Sequence, residues 1–99
     1  MAMFAVVTLK GPNWVHDRGV REQPAWDEHA RYFDQLVERG VVVLGGPISG
    51  DDENEVALLA VEAADRQEVL SIFGEDPWAA SGVLRIKEPR AWTIWLDGR

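Results

Sequence analysis

The length, composition and charge of the chain set the first limits on what it can be. Its 99 residues match one domain, covering 1–99, and shares of 46% hydrophobic and 27% charged residues are typical of a globular protein. The formal net charge of −7, with no basic cluster, argues against binding to nucleic acids or to an anionic membrane surface. The absence of cysteine excludes disulfides, thiolate catalysis and cysteine-based zinc sites.

The pattern of apolar and turn residues predicts elements in the order β-α-β-β-α-β. The apolar run in the opening MAMFAVVTLK is short and has no charged leader, so it predicts a strand and not a signal peptide, with the cytoplasm as the expected location. Pro24 suits the first turn of a helix that ends before Gly40, and Asp65 with Glu68 forms a capping box for a second helix. The predicted strands cover 3–9, 41–48, 56–63 and 83–96, and the last of them is interrupted at Pro89. The predicted helices cover 24–39 and 65–73, and a short capped turn covers 75–82.

This order of elements is the ferredoxin-like split βαβ pattern, an α+β fold with an antiparallel sheet and helices on one face. Two helices cover only one face of a four-stranded sheet, so the other face of a monomer should be polar. Here both faces are apolar, since Phe4 and Val6 alternate with Ala5 and Val7 along the first strand. We therefore expect the second face to pack against another copy of the chain in a two-fold homodimer.

A histidine interrupts the apolar stripe of the predicted helix 24–39. At about 100° per residue, Trp26, His29, Phe33 and Leu36 share one arc of the helix, and charged residues occupy the other side. One interpretation is a core histidine whose ring nitrogens are satisfied by backbone or solvent. The other is a general acid/base or ligand-binding imidazole that faces a pocket walled by Trp26 and Phe33. In either case the buried ring needs a hydrogen-bond partner.

Asp76, in the sequence Glu-Asp-Pro-Trp, has two possible roles. An aspartate before proline is a good helix N-cap, because proline at the first helical position has no amide to lose. A carboxylate has two oxygens, so one could cap the turn while the other accepts a hydrogen bond from His29. The second role would hold the imidazole in one tautomer.

A metal site is the weakest of the candidate sites. His16 and Asp17 lie in the loop after the first strand, and together with His29 and Asp76 they could form a His₂-carboxylate site. No ligand spacing is recognisable, so we predict that no metal binds and that His16 is dispensable.

Two further clusters have structural explanations. The glycine-rich stretch 45–50 follows a strand but opens no helix, so it is not a phosphate-binding loop, and its glycines suit a bulge or a close backbone approach beside the pocket. Three basic side chains on the last strand could bind an anionic substrate, but protection of the sheet edge explains them better: Arg85, Lys87 and Arg90.

A set of landmarks runs in order through nearly the whole chain. A short strand is followed by a helix with His29 and Phe33 four residues apart, and Gly40 follows that helix. The later landmarks are Gly45-Gly46-Pro47 at the end of a strand, Asp76-Pro77-Trp78 after the second helix, Gly82 and a final strand. In this order and with these spacings, the chain resembles the YCII-related (YciI-like) family.

The resemblance implies a ferredoxin-like fold that dimerises as an α/β barrel, with His29 and Asp76 paired in the active site. Some members of the family are associated with lyase or dehalogenating chemistry on small ring compounds, and the fold is shared with muconolactone isomerases. The loop 11–23 looks longer than in the simplest members and could reshape the pocket. Around the pair, the substrate pocket is expected to include Trp26, Phe33, Gly46, Pro47 and Trp78.

We therefore expect a small dimeric enzyme that needs no cofactor. His29 would be the general acid/base on a small cyclic or anionic organic substrate, and Asp76 would orient it. A non-enzymatic ligand-binding or assembly module is one alternative, and a cofactor-free monooxygenase is another, by analogy of fold alone. A purely structural module would pack His29 with no cavity beside it, whereas an enzyme or a ligand binder needs a pocket there.

Overall fold

The computed structural model describes residues 1–99 as five strands and three helices. The strands are β1 (Ala2–Lys10), β2 (Val42–Pro47), β3 (Glu55–Ala63), β4 (Leu84–Ile86) and β5 (Arg90–Ala91). The helices are α1 (Trp26–Glu38), α2 (Arg66–Gly74) and α3 (Pro77–Ser81), and a single 3-10 turn (Val20–Glu22) lies before α1. None of these helices is both long enough and apolar enough to cross a membrane.

The strands form one antiparallel sheet in the order β2-β3-β1-β4. In the centre of the sheet, Phe4 lies opposite Val61 and Val6 lies opposite Leu59. β5 pairs with β1 on the same edge as β4, so the two short strands share the fourth position. This is the ferredoxin-like α+β fold that the order of elements predicted.

The final strand is shorter than predicted. Instead of running over 83–96, it consists of β4 and β5, separated by a break that includes Pro89. Proline has no amide to donate to a neighbouring strand, so the ladder stops there as the sequence indicated. The prediction is wrong beyond Ala91: the Trp92 amide still donates to the Met3 carbonyl at 2.9 Å, but no regular structure follows.

The first helix begins two residues later than predicted. Pro24 is not at its first position, because Ala25 adopts a left-handed conformation with φ of 62° and α1 starts at Trp26. The Pro24 carbonyl accepts a 2.6 Å hydrogen bond from the indole Nε1 of Trp78, a tertiary contact that a local pattern does not contain. The cap of α2 is as predicted, since Asp65 accepts from the Glu68 amide at 2.9 Å.

Two clusters of buried side chains form the core. The larger cluster lies between the sheet and helices α1 and α2, and includes Phe4, Val6, Leu36, Val61, Val69 and Phe73. The smaller cluster surrounds α3 and consists of Trp14, Trp78, Val83 and Leu84. The smaller cluster supports the candidate site described below.

The strand residues that alternate with the core face point to the opposite side of the sheet. We call this side the open face; its residues include Met3, Ala5, Val7, Leu9, Leu58 and Ala60. The side chains there are mainly apolar, as the alternation predicted, and α1 and α2 pack on the other side. Bulky apolar side chains are also exposed after β5, where Trp95 and Leu96 are 89% and 93% accessible.

Candidate active site

A cavity of about 750 Å³ lies between the helix side of the sheet, α1 and the loop that follows β1. Most of its walls are apolar. All of the predicted pocket residues line it: Trp26, Phe33, Gly46, Pro47 and Trp78, together with His29. Asp76 does not line it, because this carboxylate is 3% exposed and lies behind the imidazole.

The two ring nitrogens of His29 have different surroundings. Nδ1 lies 2.8 Å from Oδ1 of Asp76, and the side chain is 13% exposed. Nε2 has no hydrogen-bond partner within the protein. Because every buried side-chain nitrogen or oxygen does have a partner, Nε2 is not buried, and it is open to the cavity that the ring lines. Because an ionised carboxylate can only accept, this contact favours the tautomer with the hydrogen on Nδ1, which leaves the lone pair of a neutral ring on Nε2.

Asp76 uses a single oxygen for both of its contacts. It is the N-cap of α3, with Pro77 at the first helical position, and its Oδ1 accepts from the Trp78 amide at 3.1 Å as well as from His29. The expectation that one oxygen would cap and the other would bind the histidine is therefore wrong in detail. A shared oxygen is possible because each carboxylate oxygen has two lone pairs.

Aromatic rings surround the His29 imidazole. The Trp78 indole stacks on it, with ring centroids 3.7 Å apart and an interplanar angle of 10°. Phe33 and Trp26 are tilted against it, with centroids 5.0 Å and 5.7 Å away. His29 thus presents one ring edge to the cavity from within a cluster of aromatic rings.

The α3 turn is held in place by the chain that leaves β1. The Gly11 amide donates to the Val83 carbonyl and the Asn13 amide to the Gly82 carbonyl, both at 2.8 Å. A Cβ on residue 11 would lie 2.3 Å from the Gly82 oxygen, so the two segments approach closer than any side chain allows. Gly82 itself has a φ of 76°, which ends α3 in a left-handed cap.

The loop 11–23 is organised by a glutamine that the sequence analysis did not single out. The Gln23 side chain is 3% exposed, its Oε1 accepts from the Val15 amide at 2.8 Å, and its Nε2 donates to the carbonyls of Val15 and Arg18 at 2.9 and 3.1 Å. These bonds hold the loop so that Trp14 and Val20 form part of the cavity wall. Nothing local distinguishes a clamping glutamine from an ordinary loop residue, so no sequence signal would have found it.

The glycines of the stretch 45–50 do not form the bulge expected there. The irregularity in pairing between β2 and β3 lies earlier, between Val42 and Leu44. A Cβ on Gly45 would lie 3.1 Å from Leu59, whereas one on Gly46 would meet nothing within 4 Å. Gly45 is therefore the glycine that allows a close approach, to the side chain of Leu59. Gly46 leaves open space in the cavity wall.

The basic residues of the last strands lie outside the cavity. Lys87 pairs with Glu55 at 2.5 Å, and that hydrogen bond raises the pKa of the Lys87 ammonium group. Neither Arg85 nor Arg90 lines the cavity, and both are exposed on the edge strands. The charged side chains that do line it include Lys10, which lies 5.7 Å above the Trp14 ring, and Arg21.

The residues of the imagined metal site are not brought together. His16 and Asp17 are exposed, and His16 borders a separate shallow cavity with Lys10, Asn54 and Arg85. No group of three or more His, Asp or Glu side chains has an arrangement that could hold a metal ion.

The fold and the cavity together define the class of the molecule: a ferredoxin-like α+β protein with a buried carboxylate–imidazole pair beside an apolar pocket. Residues 3–93 match the family model of the YCII-related domain, and the chain belongs to this family. No curated protein matches the sequence significantly.

A solved structure with the same fold is that of 5-chloro-2-hydroxyhydroquinone dehydrochlorinase from Burkholderia phenoliruptrix AC1100, in complex with 2,5-dihydroxybenzoquinone. It is 22% identical to this chain, with a TM-score of 0.60, and the match covers 92% of this chain and 93% of that one. At this identity the likeness establishes the fold, over nearly the full length of both chains.

Proposed function

We propose that this YCII-family protein is a cofactor-independent enzyme of lyase, isomerase or dehalogenase type, in which His29 transfers protons on a small cyclic substrate. The observation that carries the proposal is the division of roles between the ring nitrogens of His29. Nδ1 is bound to the buried Asp76 carboxylate, while Nε2 is free beside the cavity. A carboxylate behind a histidine that faces a pocket is the arrangement of an oriented general base.

In the proposed reaction, Nε2 of His29 accepts a proton from a carbon or a hydroxyl group of the substrate ring. The Asp76 carboxylate balances the positive charge that then develops on the imidazole. An isomerase would return the proton to another atom of the substrate. A dehydrohalogenase would release halide with the electron pair of the carbon–halogen bond, and the net loss of a hydrogen halide needs no oxidant or reductant.

The cavity favours a small ring compound as substrate. A volume of about 750 Å³ is in the range of small-molecule sites, and Trp26 and Phe33 offer aromatic surface to a flat ring. The structural neighbour is a dehydrochlorinase crystallised with a dihydroxybenzoquinone. Hydroxylated and chlorinated hydroquinones are therefore the first compounds to test.

We further propose that the protein is a homodimer that buries the open face of each sheet. The apolar side chains of this face, such as Val7 and Leu58, would otherwise remain uncovered, and such a patch favours association. Two sheets related by a two-fold axis would form a dimeric α/β barrel, with the helices on the outside.

Proton transfer is testable before the natural substrate is known. The protein is incubated in D₂O with 5-chloro-2-hydroxyhydroquinone, hydroxyhydroquinone, 2,5-dihydroxybenzoquinone and cyclic enol lactones. Mass spectrometry measures deuterium uptake, and ion chromatography measures chloride release. We expect acceleration with at least one compound, and a loss of about 100-fold or more in His29→Gln, as for removal of a general base.

His16→Ala is the matched control, because His16 is the other histidine of the chain and lies outside the cavity. Its rates should stay within a few-fold of wild type. Equal rates for wild type and His29→Gln would refute the proposed mechanism. Binding of the compounds without any turnover would identify a ligand-binding module instead.

A further inference from the structure

The stacked pair of Trp78 and His29 suggests a role for the tryptophan beyond lining a pocket. Trp78 borders the cavity, but its side chain is 0% exposed, so it lies behind the surface of the wall and offers little contact to a substrate. We propose that Trp78 is a positioning residue: its indole fixes the plane of the His29 ring, so that Nδ1 stays on Asp76 and Nε2 stays open to the cavity. The inference rests on the proposed function and assigns a second role to a residue of the same site.

A hydrogen bond to Asp76 does not fix an imidazole by itself. The terminal torsion of a histidine side chain is broad, and the ring can also rock about the axis of its hydrogen bond. A second contact in a different direction is needed to define the plane. Trp78 supplies it, with its ring 3.7 Å from the imidazole and only 10° from parallel.

The indole can act as a reference plane because it is itself anchored. Its Nε1 donates to the Pro24 carbonyl at 2.6 Å, and Trp14 packs edge-on against it with centroids 6.4 Å apart. The Val83 amide donates to the Trp78 carbonyl, and this hydrogen bond holds the backbone of Trp78 in place. The plane of the ring is therefore set by hydrogen bonds and packing that do not involve His29.

Helix α3 presents the carboxylate and the indole as one unit. Asp76 is its N-cap and Trp78 follows two residues later, with the Trp78 amide bonded to the same Oδ1 that binds His29. The indole also reaches the start of α1 at Pro24, one residue before Ala25, whose carbonyl accepts from the His29 amide at 3.1 Å. The His29 ring therefore contacts α3 at two places, the Asp76 carboxylate and the Trp78 indole. The backbone of His29 is connected to the same indole through the start of α1.

Stacking has an electrostatic consequence for the proposed reaction. The face of an indole attracts a cation, so Trp78 also stabilises the imidazolium that forms when Nε2 takes up a proton. Trp26 cannot define the plane of the imidazole in the same way, because its ring is tilted by 45° and lies 5.7 Å away.

The tautomer of His29 can be measured without a substrate. The chain has only two histidines, so ¹⁵N-detected long-range correlation spectra of uniformly labelled protein will show two imidazoles, and His29→Gln assigns them. In wild type we expect a single Nδ1–H tautomer for His29. In Trp78→Leu we expect its two nitrogen shifts to converge, as for a mixture of tautomers.

Two variants separate positioning from general stability. Trp14→Phe changes a ring that contacts the Trp78 indole but not His29, and phenylalanine can keep an aromatic edge against the indole, so this variant should keep the wild-type tautomer. Trp78→Phe keeps an aromatic face but loses the bond to Pro24, so the His29 nitrogen shifts should converge in part, less than in Trp78→Leu. A wild-type spectrum in Trp78→Leu would overturn the inference. If that variant does not fold, nitrogen shifts of His29 in Trp78→Phe that are unchanged from wild type would overturn it.

The kinetic readout links the inference to the proposed function. With any compound that the protein turns over, Trp78→Phe should lower kcat about tenfold and leave KM within a few-fold, since misplacing a catalytic group slows the reaction rather than binding. A change confined to KM would make Trp78 a pocket wall only. If no compound is turned over, the tautomer spectra still decide whether Trp78 positions the ring, so the two proposals fail separately.

Discussion

At Asp76, one carboxylate oxygen caps a helix and holds the histidine. Asp76→Asn can keep an acceptor oxygen in this place, so the cap should survive while the negative charge behind His29 is lost. Asp76→Ala removes the acceptor from both groups. We expect it to lower the free energy of unfolding by about 2–4 kcal/mol, from the lost cap and an unsatisfied buried donor. Urea denaturation measures this, and a loss below about 0.5 kcal/mol would show that neither contact is stabilising.

Tyr32 provides a prediction about pH. Its hydroxyl donates to the Ile72 carbonyl at 2.5 Å, and burial, followed by the negative charges of Glu75 and Asp76, raises the pKa of Tyr32 above the ordinary value of 10.0. A raised folded-state pKa contributes stability that is present below the unfolded pKa and lost as the pH rises through the folded pKa. Wild type should therefore lose more stability above about pH 10 than Tyr32→Phe does.

The matched comparison is Tyr32→Phe at neutral pH, where it should cost only about 1 kcal/mol for one hydrogen bond. Lysine side chains also titrate in the alkaline range, but they are common to both proteins and cancel in the difference. Parallel stability curves for the two proteins from pH 7 to 11 would contradict the assignment.

Ala25 is the only residue other than glycine with a positive φ, at 62°, and its side chain is exposed. A left-handed conformation costs an L-residue about 1–2 kcal/mol, while a glycine loses about 0.4–1 kcal/mol through the entropy of its unfolded state. Ala25→Gly should therefore raise the free energy of unfolding by about 0.5–1 kcal/mol. If urea denaturation instead gave a lower free energy of unfolding for Ala25→Gly than for wild type, the start of the helix would not be strained.

At the scale of elements, the crossing of the segment after β1 with the end of α3 positions the site. Gly11→Ala would place a Cβ 2.3 Å from the Gly82 carbonyl oxygen, so backbone must move. We expect a loss of about 1–3 kcal/mol, the usual cost of overpacking, and a weaker His29–Asp76 contact because α3 carries Asp76. Gly74→Ala is the control: a Cβ there meets nothing within 4 Å, and alanine favours the helix. Equal stabilities for the two variants would contradict the tight crossing.

At the scale of the whole molecule, the open face leads to a prediction about assembly. Sedimentation at micromolar concentration should give twice the 11.1 kDa mass of the chain. Leu58→Lys places a charge on the open face and should yield monomers, because burying an unpaired charge is costly. Leu70→Lys changes a leucine that is 37% exposed on α2, away from this face, and should leave the dimer intact. A monomeric wild type would refute the dimer.

Local patterns determined much of this protein from the sequence alone. The alternation of apolar residues and the turn signals predicted the ferredoxin-like order of elements, and Asp65 and Asp76 cap helices as their sequence contexts indicated. These features depend on residues that are close together in the chain, so a short stretch of sequence includes all of the interacting groups. The position of His29 on an apolar arc raised the need for a partner, and the order of motifs pointed to Asp76.

The tertiary structure alone decided the features that join distant segments. The indole of Trp78 stacked on His29, the oxygen of Asp76 shared by two donors, and the start of α1 bound at Pro24 all depend on contacts between α1 and α3. The end of regular pairing after Ala91 likewise depends on which backbone groups of β1 lie within hydrogen-bonding distance of the last segment. Such contacts are set by packing in three dimensions, where the distance between two groups is independent of their separation along the chain.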